Sequence, residues 1–115
     1  MSIHEFTNEL IWNLYLEDKK YSDDELYKNI QNAKNVEELE YWITKKAELS
    51  YQYARDILKG PFPKGEDAIA TDAGMSYIYA RDILKGPFPK GEDAIAKHVG
   101  LSFRYKKFIL SLNKK

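Results

Sequence analysis

The chain has no cysteine and only two histidines, His4 and His98. The first absence excludes a disulfide framework and thiolate chemistry. The histidines stand far apart, with neither Cys nor a carboxylate at metal-ligand spacing, so they read as exposed or capping residues and no metal is expected. No apolar run approaches the roughly 20 residues of a membrane span. The opening MSIHEF has no basic stretch leading into an apolar one, so no signal peptide is expected and cytoplasmic folding is the default. A phosphate-cradling loop is also missing, because the glycines of LKGPFPKGED are held by prolines and lack a following Lys-Ser or Lys-Thr. What is present, 43% hydrophobic and 31% charged residues, suits a folded chain rather than a disordered one.

Net charge is zero, yet charge is unevenly placed. Residues 1–48 hold six Lys against eleven acids, whereas residues 49–115 hold twelve Lys plus Arg against seven. The extreme is Lys97 to Lys115, with Lys97, Arg104, Lys106, Lys107, Lys114 and Lys115 and no acid at all. Such polarity points to an acidic partner at one end, or to head-to-tail self-association between copies.

All four prolines fall in two identical stretches. Tyr53 to Ala70 reads YARDILKGPFPKGEDAIA, and Tyr79 to Ala96 repeats those eighteen letters unchanged, 26 residues on. The flanking KKAELSYQ and TDAGMSYI share Ala, Ser and Tyr in register, which sets the units at 45–70 and 71–96. A truncated third copy, residues 97–115, keeps Gly100, Ser102, Phe103, Tyr105, Ile109 and Leu110. Residues 1–44 form an irregular N-terminal part in which Tyr27, Glu40 and Ile43 fall on Tyr53, Glu66 and Ile69 after a 26-residue shift, the trace of a decayed first unit.

Within the unit, Leu49, Tyr53 and Ile57, and again Met75, Tyr79 and Ile83, make an i, i+4, i+8 stripe. Tyr51, Ala54 and Leu58, with Tyr77, Ala80 and Leu84, widen that face. Gly60 and Gly86 are placed to end each helix in the left-handed conformation, before Pro61 and Pro87, which cannot continue it. A stiff Pro-Phe-Pro connector follows, and Glu66-Asp67 and Glu92-Asp93 then occupy the first turn of a short helix, favourable to its dipole. Further upstream, Ile3, Phe6, Leu10, Ile11 and Leu14 form one amphipathic stripe. Capping patterns open helices at Ser22-Asp23-Asp24-Glu25 and Asn35-Val36-Glu37-Glu38. Nothing local breaks a helix between Ile43 and Leu49, but the repeat demands a break there. The expected fold is all-α, a short α-solenoid-like array of helix pairs behind an irregular helical N-terminal part.

The string S-x-x-YA-R-D-I-L-K-G-x-F-P-x-G-E-x-A-I-A resembles a short helical repeat found in tandem in proteins of large bacteriophages and giant viruses; the likeness covers Lys45 to Leu112. Where that family mostly has a basic residue before Phe-Pro, this chain has Pro61 and Pro87. The resemblance implies a viral origin and a solenoid-like fold. It carries over no catalytic residue.

Adjacent carboxylates diverge on a helix, so the Glu-Asp pairs do not read as an acid and base. The expectation is a non-enzymatic protein-interaction module without cofactor, and the resemblance implies that it acts as an inhibitor or modulator of a host protein or antiviral defence system. Candidate contact residues are Phe62 and Phe88 as anchors, unless they plug their own units, with Arg55, Lys59, Arg81 and Lys85 as a basic ladder. Arg104, Lys106, Lys107 and Phe108 join them in the last copy, where Lys106 replaces Ala54 and Ala80 as suits an end without a neighbour. Phe108 either folds back or meets a partner. The ladder and the basic last copy also permit the rival reading, nucleic-acid binding, weakened by Asp56 and Asp82 beside each Arg.

Overall fold

The computed structural model describes residues 24–112. The stripe from Ile3 to Leu14, the cap at Ser22, His4, Lys114 and Lys115 lie outside the described residues, as does the side chain of Tyr27. Among the described residues the fold is all-α: α1 (Asp24–Gln31), α2 (Val36–Ile43), α3 (Ala47–Gln52), α4 (Glu66–Ile69), α5 (Ala73–Ile78), α6 (Glu92–Ala96) and α7 (Val99–Leu112). None of these is long and apolar enough to cross a membrane.

Two of the starts follow from a side-chain cap. Asn35 accepts from the Glu38 N–H at 2.9 Å to open α2, and Asp72 accepts from the Met75 N–H at 2.8 Å to open α5. The chain does break after Ile43, where the Lys45 and Lys46 N–H groups make short-range bonds to the Trp42 and Ile43 carbonyls. Ser50 fixes that break from the next helix by donating to the Ile43 carbonyl at 3.2 Å, and Ser76 does the same to Ile69 at 3.0 Å. Both serines are fully buried.

The helix ends differ from expectation. After α3 and α5 the chain widens into π-helical segments, Tyr53–Leu58 and Tyr79–Leu84. The residue in the left-handed conformation is Lys59 or Lys85, each at φ 53°, and no glycine has positive φ. The Lys59 and Gly60 N–H groups both turn back to the Ala54 carbonyl, as those of Lys85 and Gly86 do to Ala80. The chain must leave the helix two residues before proline, because the residue preceding proline is held out of the helical region. Reversal therefore falls on the lysine.

The same widening corrects the expected core stripe. A turn closed by i→i+5 bonds carries later residues off the i, i+4, i+8 line. Ile57 and Ile83 are accordingly only half-buried, whereas Leu49, Tyr53, Tyr79, Ile69 and Ile95 are buried. Ala54 and Ala80 are 0% exposed, which fits close approach between units.

The connectors settle inward. Phe62 and Phe88 are 2% exposed, packed on the rings of Tyr53 and Tyr79 at centroid distances of 4.9 and 5.0 Å. One-turn 3-10 segments, Pro63–Gly65 and Pro89–Gly91, follow them. The second of these packs against both α4 and α5, closing the seam between them. Here glycine is required. A Cβ on Gly65 would stand 2.6 Å from the Phe62 ring and 2.8 Å from Ser50, and one on Gly91 would stand 2.5 Å from Ser76.

Candidate functional site

One tyrosine per unit ties the array together. The Tyr79 hydroxyl accepts from the Phe62 N–H at 2.9 Å and donates to Glu66 Oε2 at 2.7 Å. Tyr105 repeats this with the Phe88 N–H at 3.0 Å and Glu92 Oε2 at 2.6 Å. Tyr53 donates to Glu40 Oε2 at 2.8 Å, so Glu40 serves α3 as Glu66 and Glu92 serve the later helices. Burial raises all three phenols above their ordinary value, and the hydrogen bonds to carboxylates add to it; Tyr105 is pushed up to about 12. These glutamates are structural acceptors. The signal was present in the sequence as a Glu-to-Tyr spacing of 13 repeated three times, which first-turn helix reasoning passed over.

The proposed aromatic anchors are not at the surface. Phe62 and Phe88 plug their own units because Tyr53, Tyr79 and the close-set glycines build a slot for each ring. That removes them as contact residues.

The basic ladder is partly discharged. Arg55 makes a bidentate pair with Asp56 at 2.8 and 2.9 Å and lies 5.4 Å from the Tyr51 ring centroid. Arg81 pairs with Asp82 at 2.7 and 2.9 Å and lies 5.3 Å from Tyr77. The hydrogen bond from Arg81 holds the Asp82 carboxyl below the usual carboxylate range, and Tyr51 reaches the same carboxylate at 3.5 Å. Lys64 pairs with Glu40 and Lys90 with Asp67. Arg55, Lys59 and Lys85 do come together, lining a groove of about 290 Å³ between successive helix ends, with Asp82 on its wall.

The last helix is different. In α7, Arg104, Lys106 and Lys107 are exposed, and Phe108 is half-buried against the core, so it folds back onto the array. Apolar side chains are exposed beside these cations: Val99 at 89%, Phe103 at 67% and Leu110 at 63%. Between α6 and α7 runs a groove of about 490 Å³ lined by Ile95, Ala96, Ser102, Tyr105, Ile109 and Leu110, with Glu92 and Lys106 as its charged members. Sequence reasoning placed Lys106 here but missed the groove, since Ile109 and Leu110 look like ordinary continuations of the stripe.

No family model, curated protein or solved structure matches the chain.

Proposed function

We propose that the chain is a non-catalytic protein-interaction module that holds a partner protein at the C-terminal end of its helical array. The observation that carries this is α7 itself: Val99, Phe103 and Leu110 are exposed on the helix that borders an apolar groove, and Arg104, Lys106 and Lys107 are exposed on the same helix. An apolar centre within a charged rim is the ordinary composition of a protein interface. The direction of the rim favours an acidic partner surface. A host protein of a bacteriophage-infected cell, with inhibition of a host enzyme or defence system as the outcome, is the setting suggested by the repeat string alone.

The test is capture from bacterial lysate by the intact chain and by a Phe103→Asp, Leu110→Asp double variant. A stoichiometric protein retained by the first and lost with the second supports the reading. Equal retention by both, or retention of nucleic acid in place of protein, overturns it.

A second reading, nucleic-acid binding, draws on the groove where Arg55, Lys59 and Lys85 converge. Carboxylates of Asp56 and Asp82 grip the ladder arginines and reduce the field available to phosphates. Titration with single-stranded and duplex oligonucleotides at low and moderate salt separates the two. Tight binding that falls steeply with salt and is lost in an Arg104→Ala, Lys106→Ala, Lys107→Ala variant would replace the protein-partner reading.

A further inference from the structure

The groove between α6 and α7 has two covered counterparts in the same molecule. Its lining residues Ile95, Ser102 and Tyr105 correspond to Ile69, Ser76 and Tyr79 one unit earlier, which are all 0% exposed; Ile95 and Tyr105 stay at 1% and 7%, and the seat is open at Ser102, which is half-buried, and at Leu110, which is 63% exposed. What covers that earlier surface is known. The Phe88 ring lies 5.0 Å from the Tyr79 ring, Gly91 sits against Ser76 so closely that a Cβ would clash at 2.5 Å, and the Pro89–Gly91 turn packs on α4. The unit before repeats the arrangement with Phe62, Gly65, Tyr53 and Ser50. In the last unit Asn113, Lys114 and Lys115 stand where the middle unit has Pro87, Phe88 and Pro89. Helix α7 runs through Leu112 with no widened turn, Ser102 is half-buried, and the tyrosine ring stands beside open apolar surface.

We propose that this groove is a binding seat for a proline-flanked Phe-Pro-x-Gly turn presented by a partner protein, which takes in trans the place that Phe62–Gly65 and Phe88–Gly91 take in cis. The inference rests on the interaction-module reading and names the chemistry of its ligand. The chain specifies that chemistry twice over: a phenyl ring for the tyrosine face, prolines that hold the turn in shape before binding, and a glycine where the backbone must meet serine. A second folded copy does not offer such a turn, because Phe62 and Phe88 are both 2% exposed in their own units. The proposed occupant is a partner polypeptide with the turn on its surface. Lys106, which replaces the alanine of the earlier units, and Glu92 are the charged side chains at this seat.

The probe is the peptide LKGPFPKGED, the sequence of Leu84 to Asp93, titrated into the isotope-labelled full chain and followed by amide chemical shifts. The expected result is saturable binding with shifts at Ser102, Tyr105, Ile109 and Leu110. Changing the peptide Phe to Ala weakens binding by about tenfold or more, the loss typical of a central aromatic anchor, and changing its second glycine to Ala weakens it comparably. A Ser102→Phe chain, with the seat filled, does not bind. Should that variant fail to fold, the two altered peptides decide on the unaltered chain. Absence of saturable binding at millimolar peptide, indifference to the Phe change, or shifts confined to other units each overturn the proposal. A concentration-dependent dimer that the peptide dissociates would assign the seat to a second copy and overturn the partner assignment. Loss of peptide binding with retained, Phe103-dependent capture of a partner would remove this inference and leave the interaction module standing.

Discussion

Residues 79–84 and 105–110 occupy the same place in consecutive units, and both keep Tyr, Ile and Leu in register. The first runs as a widened π segment, reverses at Lys85 and leads through Gly86 and Pro87 into a buried Phe. The second stays α-helical to Leu112 and ends with Leu110 at 63% exposure. Both tyrosines nevertheless make the same pair of hydrogen bonds to the preceding unit. The contact that joins one unit to the one before is thus independent of how the unit's own helix ends. The exit sequence after the helix determines whether the outward face is sealed or left open.

Removing the seal from the middle unit should have the largest effect. Phe88→Ala is expected to cost about 3–5 kcal/mol in urea unfolding, the range for a buried Phe, and Phe108→Ala much less because Phe108 is only half-buried. Equal losses would mean that the terminal unit is as tightly packed as the middle one. Next, Ile69→Ala should cost about 2–5 kcal/mol, and Ile57→Ala clearly less, since the π segment holds Ile57 half out of the core. The order reverses if the segment is α-helical in solution.

The tyrosine ties should follow. Tyr79→Phe leaves the buried Phe62 N–H without its acceptor, a loss of about 1–3 kcal/mol. Tyr105→Phe should lose less, because that ring borders the open groove and water can reach its partners. The same ties set a response to alkali. Tyr105 is raised from 10.0 to about 12, first by burial and then by its bond to Glu92. A folded-state pKa above the unfolded value stabilises the fold fully below pH 10, and that contribution is lost as pH rises through about 12. Thermal melting should hold steady up to pH 10 and fall above it, with Tyr105→Phe showing a weaker fall. A parallel pH slope in that variant would place the sensitivity elsewhere.

The smallest effect is also the sharpest contrast. Lys85 sits at φ 53°, so Lys85→Gly should raise stability by up to about 1 kcal/mol by relieving the left-handed strain. Ser111, its aligned residue, lies in the last turn of α7, and Ser111→Gly should lower stability by about 0.5 kcal/mol. Melting temperatures moving in the same direction would contradict the difference in helix ends.

Much of the fold was legible because its signals are local. Apolar period, caps at Asn35 and Asp72, and proline stops are short-range instructions, and they gave an all-α fold of helix pairs. The break after Ile43 was legible only through the repeat. Local propensity runs straight through it, and the bond that fixes it comes from Ser50, seven residues on. The candidate site was less legible. Basic residues of α7 could be read directly, but exposure of Phe103 at the position where Tyr51 is buried is a tertiary outcome that no local pattern carries.

By itself, then, the sequence determined the repeated unit and the helices, since periodicity, capping and proline geometry act over a few residues. Tertiary structure decided whether Phe62 and Phe88 face inward. Their burial needs Tyr53 and Tyr79 to supply a ring and Gly65 and Gly91 to let the turn settle on Ser50 and Ser76. It also decided which glutamates receive the tyrosine hydroxyls and that the last unit keeps an open groove. Those outcomes depend on surfaces brought together from different units, where packing volume and hydrogen-bond partners are settled jointly and no local pattern records them.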